Sequence, residues 1–118
     1  MKIETIVNLL DAKVLCGEDK LDGLVHSACG CDMMSDVLAF VKDQAVLITG
    51  LCNPQVVRTA VMMDMRCIVF ARGKQPPQDV LALADDAGIV VLATNERMYT
   101  ACGKLYCNGL AGGEIING

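Results

Sequence analysis

The chain has 118 residues, of which 53% are hydrophobic, 3% aromatic and 20% charged, with a formal charge of −4. That length folds around one core, and the aliphatic content excludes a disordered or fibrous polypeptide. Two Tyr, two Phe and no Trp make a poor stacking platform for single-stranded nucleic acid, and the negative charge gives no general attraction to phosphate backbones.

In chain order, Ile3, Ile6, Leu9 and Leu10 recur at helical spacing and predict a short helix over residues 5–12. Lys13-Val14-Leu15-Cys16, stopped by Gly17, reads as a short strand, and Asp22-Gly23 marks a turn before Leu24 to Ala28. From residue 32 the pattern becomes regular. Asp32 to Val41 places Met34, Val37, Leu38 and Val41 on one helical face, and Ala45 to Thr49 is an apolar run of strand length. Asn53-Pro54 supplies a helix cap followed by proline at the first helical position, where its missing N–H costs nothing. The helix it opens carries Val56, Val57, Ala60, Val61 and Met63 on its apolar side. Cys67 to Phe70 is the next strand. A helix from Pro76-Pro77 through Asp86 would bury Val80, Leu83, Ala84 and Ala87, and Ile89 to Ala93 forms a further strand. Thr94-Asn95 is expected to cap a last helix with Met98, Ala101, Cys102 and Leu105 turned inward.

Strands without polar alternation are covered on both faces, and strands alternating with helices imply βαβ crossovers. The expected fold is therefore α/β, a three-layer sandwich around a mostly parallel sheet of four to five strands. Residues 1–108 are read as a single domain and residues 109–118 as a glycine-rich tail, mobile unless it docks on a partner. The amino-terminal sequence lacks the basic and long apolar regions of a signal peptide, and no apolar run is long enough to span a bilayer, so a cytoplasmic location is expected.

Ligands of open parallel sheets bind beyond the carboxyl ends of the strands. Here those ends offer Thr49, Gly50 and Asn53 as backbone and cap donors, Arg72, Gly73 and Lys74 as a positive loop, and Thr94 and Tyr99 as hydrogen-bonding groups. Together they describe a crevice for a small anion, such as a nucleotide. The same residues also read as ordinary turns, caps and solvated charges. Neither GxGxxG nor GxxxxGK[ST] occurs, and His26, the single imidazole, leaves no hydrolytic triad, so no catalytic residue is assigned.

Seven cysteines, an odd number and mostly inside apolar segments, read as reduced thiols. Cys29, Cys31 and Cys52 sit at expected strand ends and form the alternative reading, a metal, iron–sulfur or thiol redox site completed by Cys16 or Cys102. No C-x-x-C spacing supports a cluster, and no cofactor is expected.

One resemblance adds to this. Met34-Ser35-Asp36-Val37-Leu38, Ala45 to Thr49, Cys67 to Phe70, Pro77-x-x-Val80, Ala87-Gly88-Ile89-Val90-Val91-Leu92, Met98-Tyr99-Thr100-Ala101 and Gly103-Lys104-Leu105-Tyr106 follow one another in an order that resembles the DRTGG domain family. The resemblance covers residues 31–106. Where the family has Asp-Arg and Thr-Gly-Gly, this chain has Cys52-Asn53-Pro54 and Ala71-Arg72-Gly73. The resemblance implies a fold similar to the N-terminal domain of HPr kinase and a regulatory rather than enzymatic role. Such domains stand beside CBS domains in nucleotide-regulated pyrophosphatases and ahead of phosphotransacetylase domains, and short stand-alone members near hydrogenase genes carry an iron–sulfur-binding hydrogenase label. The expected partners are a second copy of the chain, a small anionic ligand, and a protein of a metabolic or signalling system. A pure interaction scaffold with no small ligand is the third reading. Neither nucleic acid nor membrane is expected.

Overall fold

Apolar runs with no alternation need cover on two sides, and the computed structural model, which describes residues 1–40 and 44–112, supplies it. Five strands form one sheet: β1 (Lys13–Cys16), β2 (Ser27–Gly30), β3 (Ala45–Thr49), β4 (Cys67–Phe70) and β5 (Val90–Ala93), in the spatial order β1-β5-β4-β3-β2. The pairs β2/β3, β3/β4 and β4/β5 are parallel, while β1 runs antiparallel on the outer side of β5. Every residue of β3, β4 and β5 is buried.

Because β2 to β5 step across the sheet in one direction, crossovers of one hand must all lie on the same face. They do. Helices α2 (Met34–Phe40), α3 (Pro54–Met62) and α4 (Gln78–Asp86) pack Val37, Val56, Val57, Ala60, Val80 and Ala84 against Ala45, Leu47, Ile68, Phe70 and Val91. The other face is covered by α1 (Ile3–Leu10) and α5 (Met98–Cys107), whose Ile3, Ile6, Leu10, Ala101 and Leu105 meet Val46, Ile48, Cys67, Val69, Val90 and Leu92. The expected α/β sandwich with a mostly parallel sheet is therefore the fold, and no helix is long and apolar enough to cross a membrane among the described residues.

The expected helical faces need three corrections. Leu83 and Ala87 of the α4 segment lie exposed, with Leu81 half-buried in their place, and Val61 of α3 is exposed as well. α5 starts at Met98 with Arg97 in the cap position and no side-chain cap, so Thr94-Asn95 does not cap it. Val41 of the expected α2 face lies outside the described residues.

Beyond α5, Leu110 is 3% exposed within the α1/α5 layer, and the Ala28 N–H on the outer edge of β2 donates to the Ala111 carbonyl at 3.0 Å. The start of the expected tail is thus part of the core, and residues 113–118 lie outside the described ones. Leu110→Ala is expected to cost roughly 2–3 kcal/mol, the low end for a buried leucine. Urea unfolding should show a lower midpoint with an unchanged m-value.

Candidate functional site

At the carboxyl end of the sheet the connections diverge: the loop after β4 leads to α4 on one face, and the loop after β5 leads to α5 on the other. Backbone hydrogen bonds stitch these loops together. The Ala71 N–H donates to the Thr49 carbonyl at 2.9 Å, Arg72 N–H to Glu96 at 2.8 Å and Gly73 N–H to Thr94 at 2.9 Å. Arg72 and Gly73 have φ of 62° and 68°, and the Lys74 N–H closes back on the Ala71 carbonyl at 3.3 Å. Two successive left-handed residues make the tight turn that glycine favours and arginine resists.

That turn lays the Arg72 guanidinium over the buried Gly50, where any Cβ would collide with it. Asp32, in the loop between β2 and α2, reaches the same place. Its Oδ1 accepts from the Thr49 hydroxyl and the Gly50 N–H, both at 2.8 Å, and the Thr49 hydroxyl accepts from Leu51 N–H at 3.1 Å. The Gly50 N–H bond, then the Thr49 hydroxyl and the positive charge of Arg72, hold the Asp32 carboxyl below its ordinary range against a smaller burial effect. Burial raises the Cys52 thiol, and the charges of Lys74 and Arg72 oppose it. Thr49, Gly50 and Arg72 therefore meet around Asp32, with Gly73 and Lys74 in the same turn as Arg72.

Three other residues have different surroundings. The Asn53 side chain accepts from Gln55 N–H at 3.0 Å and so caps α3 itself. The buried Thr94 hydroxyl donates to the Leu10 carbonyl at 2.7 Å, tying the end of α1 to the loop after β5, and accepts from Glu96 N–H at 3.2 Å. Tyr99 is 90% exposed on α5 and lines a shallow groove with Cys102, Lys104 and Tyr106. Asp32 is the member that sequence reasoning missed. It follows a strand end, the place where ligand groups gather, but it also reads as the first residue of a helix.

The Cys31 thiol bonds locally to the Met33 backbone, and Cys52 Sγ lies 3.9 Å from the Gly50 carbonyl. Among the described residues no three His, Cys, Asp or Glu side chains are grouped to hold a metal ion, so the residues present do not fit an iron–sulfur cluster. Burial pushes the Cys29 thiol up to about 11 and raises Cys16, Cys67 and Cys102 too, which favours their protonated form at neutral pH. His26 lies at the other end of β2, and at that amino-terminal edge a hollow of about 450 Å³ opens among Ile3, Lys20, Asp64, Arg66, Gly88 and Val90.

A mostly parallel sheet with a charged loop cluster at its carboxyl edge defines a class of small α/β domain. Its family is now explicit: the DRTGG domain pattern matches residues 5–106, and the chain belongs to that family. No curated protein sequence matches it. Among solved structures it is similar to the CBS and DRTGG domains of the regulatory region of Clostridium perfringens pyrophosphatase, complexed with its activator diadenosine tetraphosphate. The TM-score is 0.70 at 17% identity, over 88% of this chain and 45% of that one. This likeness establishes the fold, and the chain spans less than half of that regulatory region.

The Asp32 hydrogen bonds favour its ionised form. Their contribution to stability is complete above the ordinary carboxyl value of 3.8 and is lost as pH falls through the lowered folded value. Asp32→Ala is expected to destabilise by on the order of 1 kcal/mol near neutral pH, a figure reduced for the side chain's exposure. Urea unfolding of both proteins at neutral pH and at about pH 3 should show the gap narrowing in acid.

Proposed function

We propose that the chain is a non-catalytic regulatory module that binds a small anionic ligand of the nucleotide class at the carboxyl edge of its sheet. The observation that carries this reading is the Arg72 guanidinium held over Gly50 by a left-handed turn, with Lys74 on the same loop. Arg72 acts on one acidic group, Asp32, whose Oδ1 is already engaged by Thr49 and Gly50. A phosphate brought to this edge meets a bidentate donor in Arg72 and a point charge in Lys74. Membership of the DRTGG family supports a regulatory role, and the similar pyrophosphatase region, complexed with a dinucleoside tetraphosphate activator, supports the ligand class.

Regulation requires that the ligand change the relation between loops. The Arg72 backbone is bonded to the loop after β5, whereas its side chain lies over the loop after β3. An anion that draws the guanidinium away from Gly50 alters the contact between those loops without disturbing the strands.

Thermal unfolding with diadenosine tetraphosphate, ATP, ADP, AMP or inorganic phosphate tests the reading. A ligand at a hundredfold excess over its Kd adds about 2.7 kcal/mol, a rise in Tm on the order of 10 °C for this size. Arg72→Ala should abolish the rise, and Lys74→Ala should reduce it. No rise with any nucleotide at millimolar concentration, or an equal rise in Arg72→Ala, overturns the assignment.

A further inference from the structure

The hollow at the amino-terminal edge of the sheet lies at the opposite end of the strands from the Arg72 loop and is built from three connections. The segment between α3 and β4 supplies Asp64 and Arg66, the segment between α4 and β5 supplies Gly88, and the turn that follows β1 supplies Lys20 and Asp22. Backbone bonds hold these segments in place. The Val90 N–H donates to the Arg66 carbonyl at 3.0 Å, the Gly23 N–H to the Lys20 carbonyl at 3.1 Å and the Ile3 N–H to the Gly23 carbonyl at 3.0 Å. Gly88 has a φ of 75°, and the Lys20 stem passes it, with Cε 3.9 Å from where a Cβ would stand. Ile3, Met65, Ile89 and Val90, each no more than 3% exposed, are the apolar part of the lining. A hollow of about 450 Å³ with an apolar base and a few converging polar groups has the size and make-up of a small-molecule site.

We propose that this hollow binds a free aliphatic α-amino acid. Such a molecule carries its ammonium and its carboxylate on one carbon, so the groups that receive them must stand side by side. Asp64 and Arg66, two residues apart in one short connection, meet that requirement. Both line the hollow, yet among the described residues neither forms an ion pair with the other or with any other side chain. Asp64 Oδ2 accepts from the Gln44 side chain at 3.2 Å, which orients the carboxylate and leaves Oδ1 for an ammonium. The Arg66 guanidinium offers a carboxylate its two-pronged fork. The aliphatic side chain of the ligand then lies against the apolar base, beside the Lys20 stem.

Charge selects this class of ligand. Asp19, Asp22 and Asp64 outnumber Lys20 and Arg66 around the hollow, and α4 ends beside it with the partial negative charge of a helix carboxyl end. A phosphate or other simple anion meets that excess, whereas an amine without a carboxylate brings its charge against Arg66 with nothing to offset it. Among the described residues no three acids, cysteines or histidines are grouped to hold a metal ion. A molecule bearing both signs satisfies Asp64 and Arg66 together. This proposal is independent of the ligand reading at the carboxyl edge.

Isothermal titration calorimetry and amide NMR spectra of the whole chain with L-leucine test it. L-leucine should bind with a Kd at or below about 1 mM and shift the amide signals of Gly23, Asp64, Arg66 and Gly88. Isopentylamine and isocaproate, each of them leucine with one charged group removed, should bind at least about tenfold more weakly, the loss expected when a hydrogen bond to a charged group is missing. Arg66→Ala and Asp64→Asn should each weaken L-leucine binding by a similar factor, and asparagine tolerates the left-handed backbone at position 64, where φ is 53°. Arg72→Ala should leave it unchanged. Far-UV circular dichroism confirms that each variant is folded. No binding of L-leucine at about 10 mM, equal binding of either analogue, binding indifferent to Arg66→Ala or Asp64→Asn, or binding lost in Arg72→Ala overturns the proposal.

Discussion

Each central strand must be dry on two sides at once, and the rest of the molecule follows from that constraint. Successive side chains point to opposite faces, so Val46 and Ile48 need one layer of helices while Ala45 and Leu47 need another. Three crossovers of a single hand can cover only one face. The second cover therefore comes from the two ends of the sequence, α1 and α5, which touch each other across that face. The Thr94 hydroxyl, buried against the Leu10 carbonyl, fixes where the first of these helices stops.

This division of labour governs what could be read from the amino acids. Ala45 to Thr49, Cys67 to Phe70 and Val90 to Ala93 were legible because a continuous apolar run of strand length, bounded by turn residues, suits a strand covered on both faces and little else. β1 and β2 were weaker, because edge strands are only partly buried and carry mixed residues. The antiparallel placement of β1 beside β5 was not legible at all. It depends on a pairing between residues about eighty positions apart, which no local pattern records.

The site divided in the same way. Gly50, Arg72, Gly73 and Lys74 could be singled out because they follow strand ends, where parallel sheets collect ligand groups. Asp32 was hidden by an equally good local reading as a helix start. As a cap of α5 Thr94 was misread, because a hydroxyl that looks like a cap can instead satisfy a distant backbone carbonyl. The exposed Val61 and Leu83 show the limit of periodicity: it identifies an apolar face without saying whether this chain or another covers it.

The backbone at Arg72 carries a consequence for how this chain varies over time. A side chain held at a φ of 62° costs on the order of 1 kcal/mol relative to glycine, and the exposed guanidinium gains no deep burial in return. Drift under pressure for stability alone would replace it with glycine or asparagine. An arginine that persists at this position across relatives would mark selection for its charge, whereas free exchange to glycine would mark a chain that has given up the loop's task and kept only its shape.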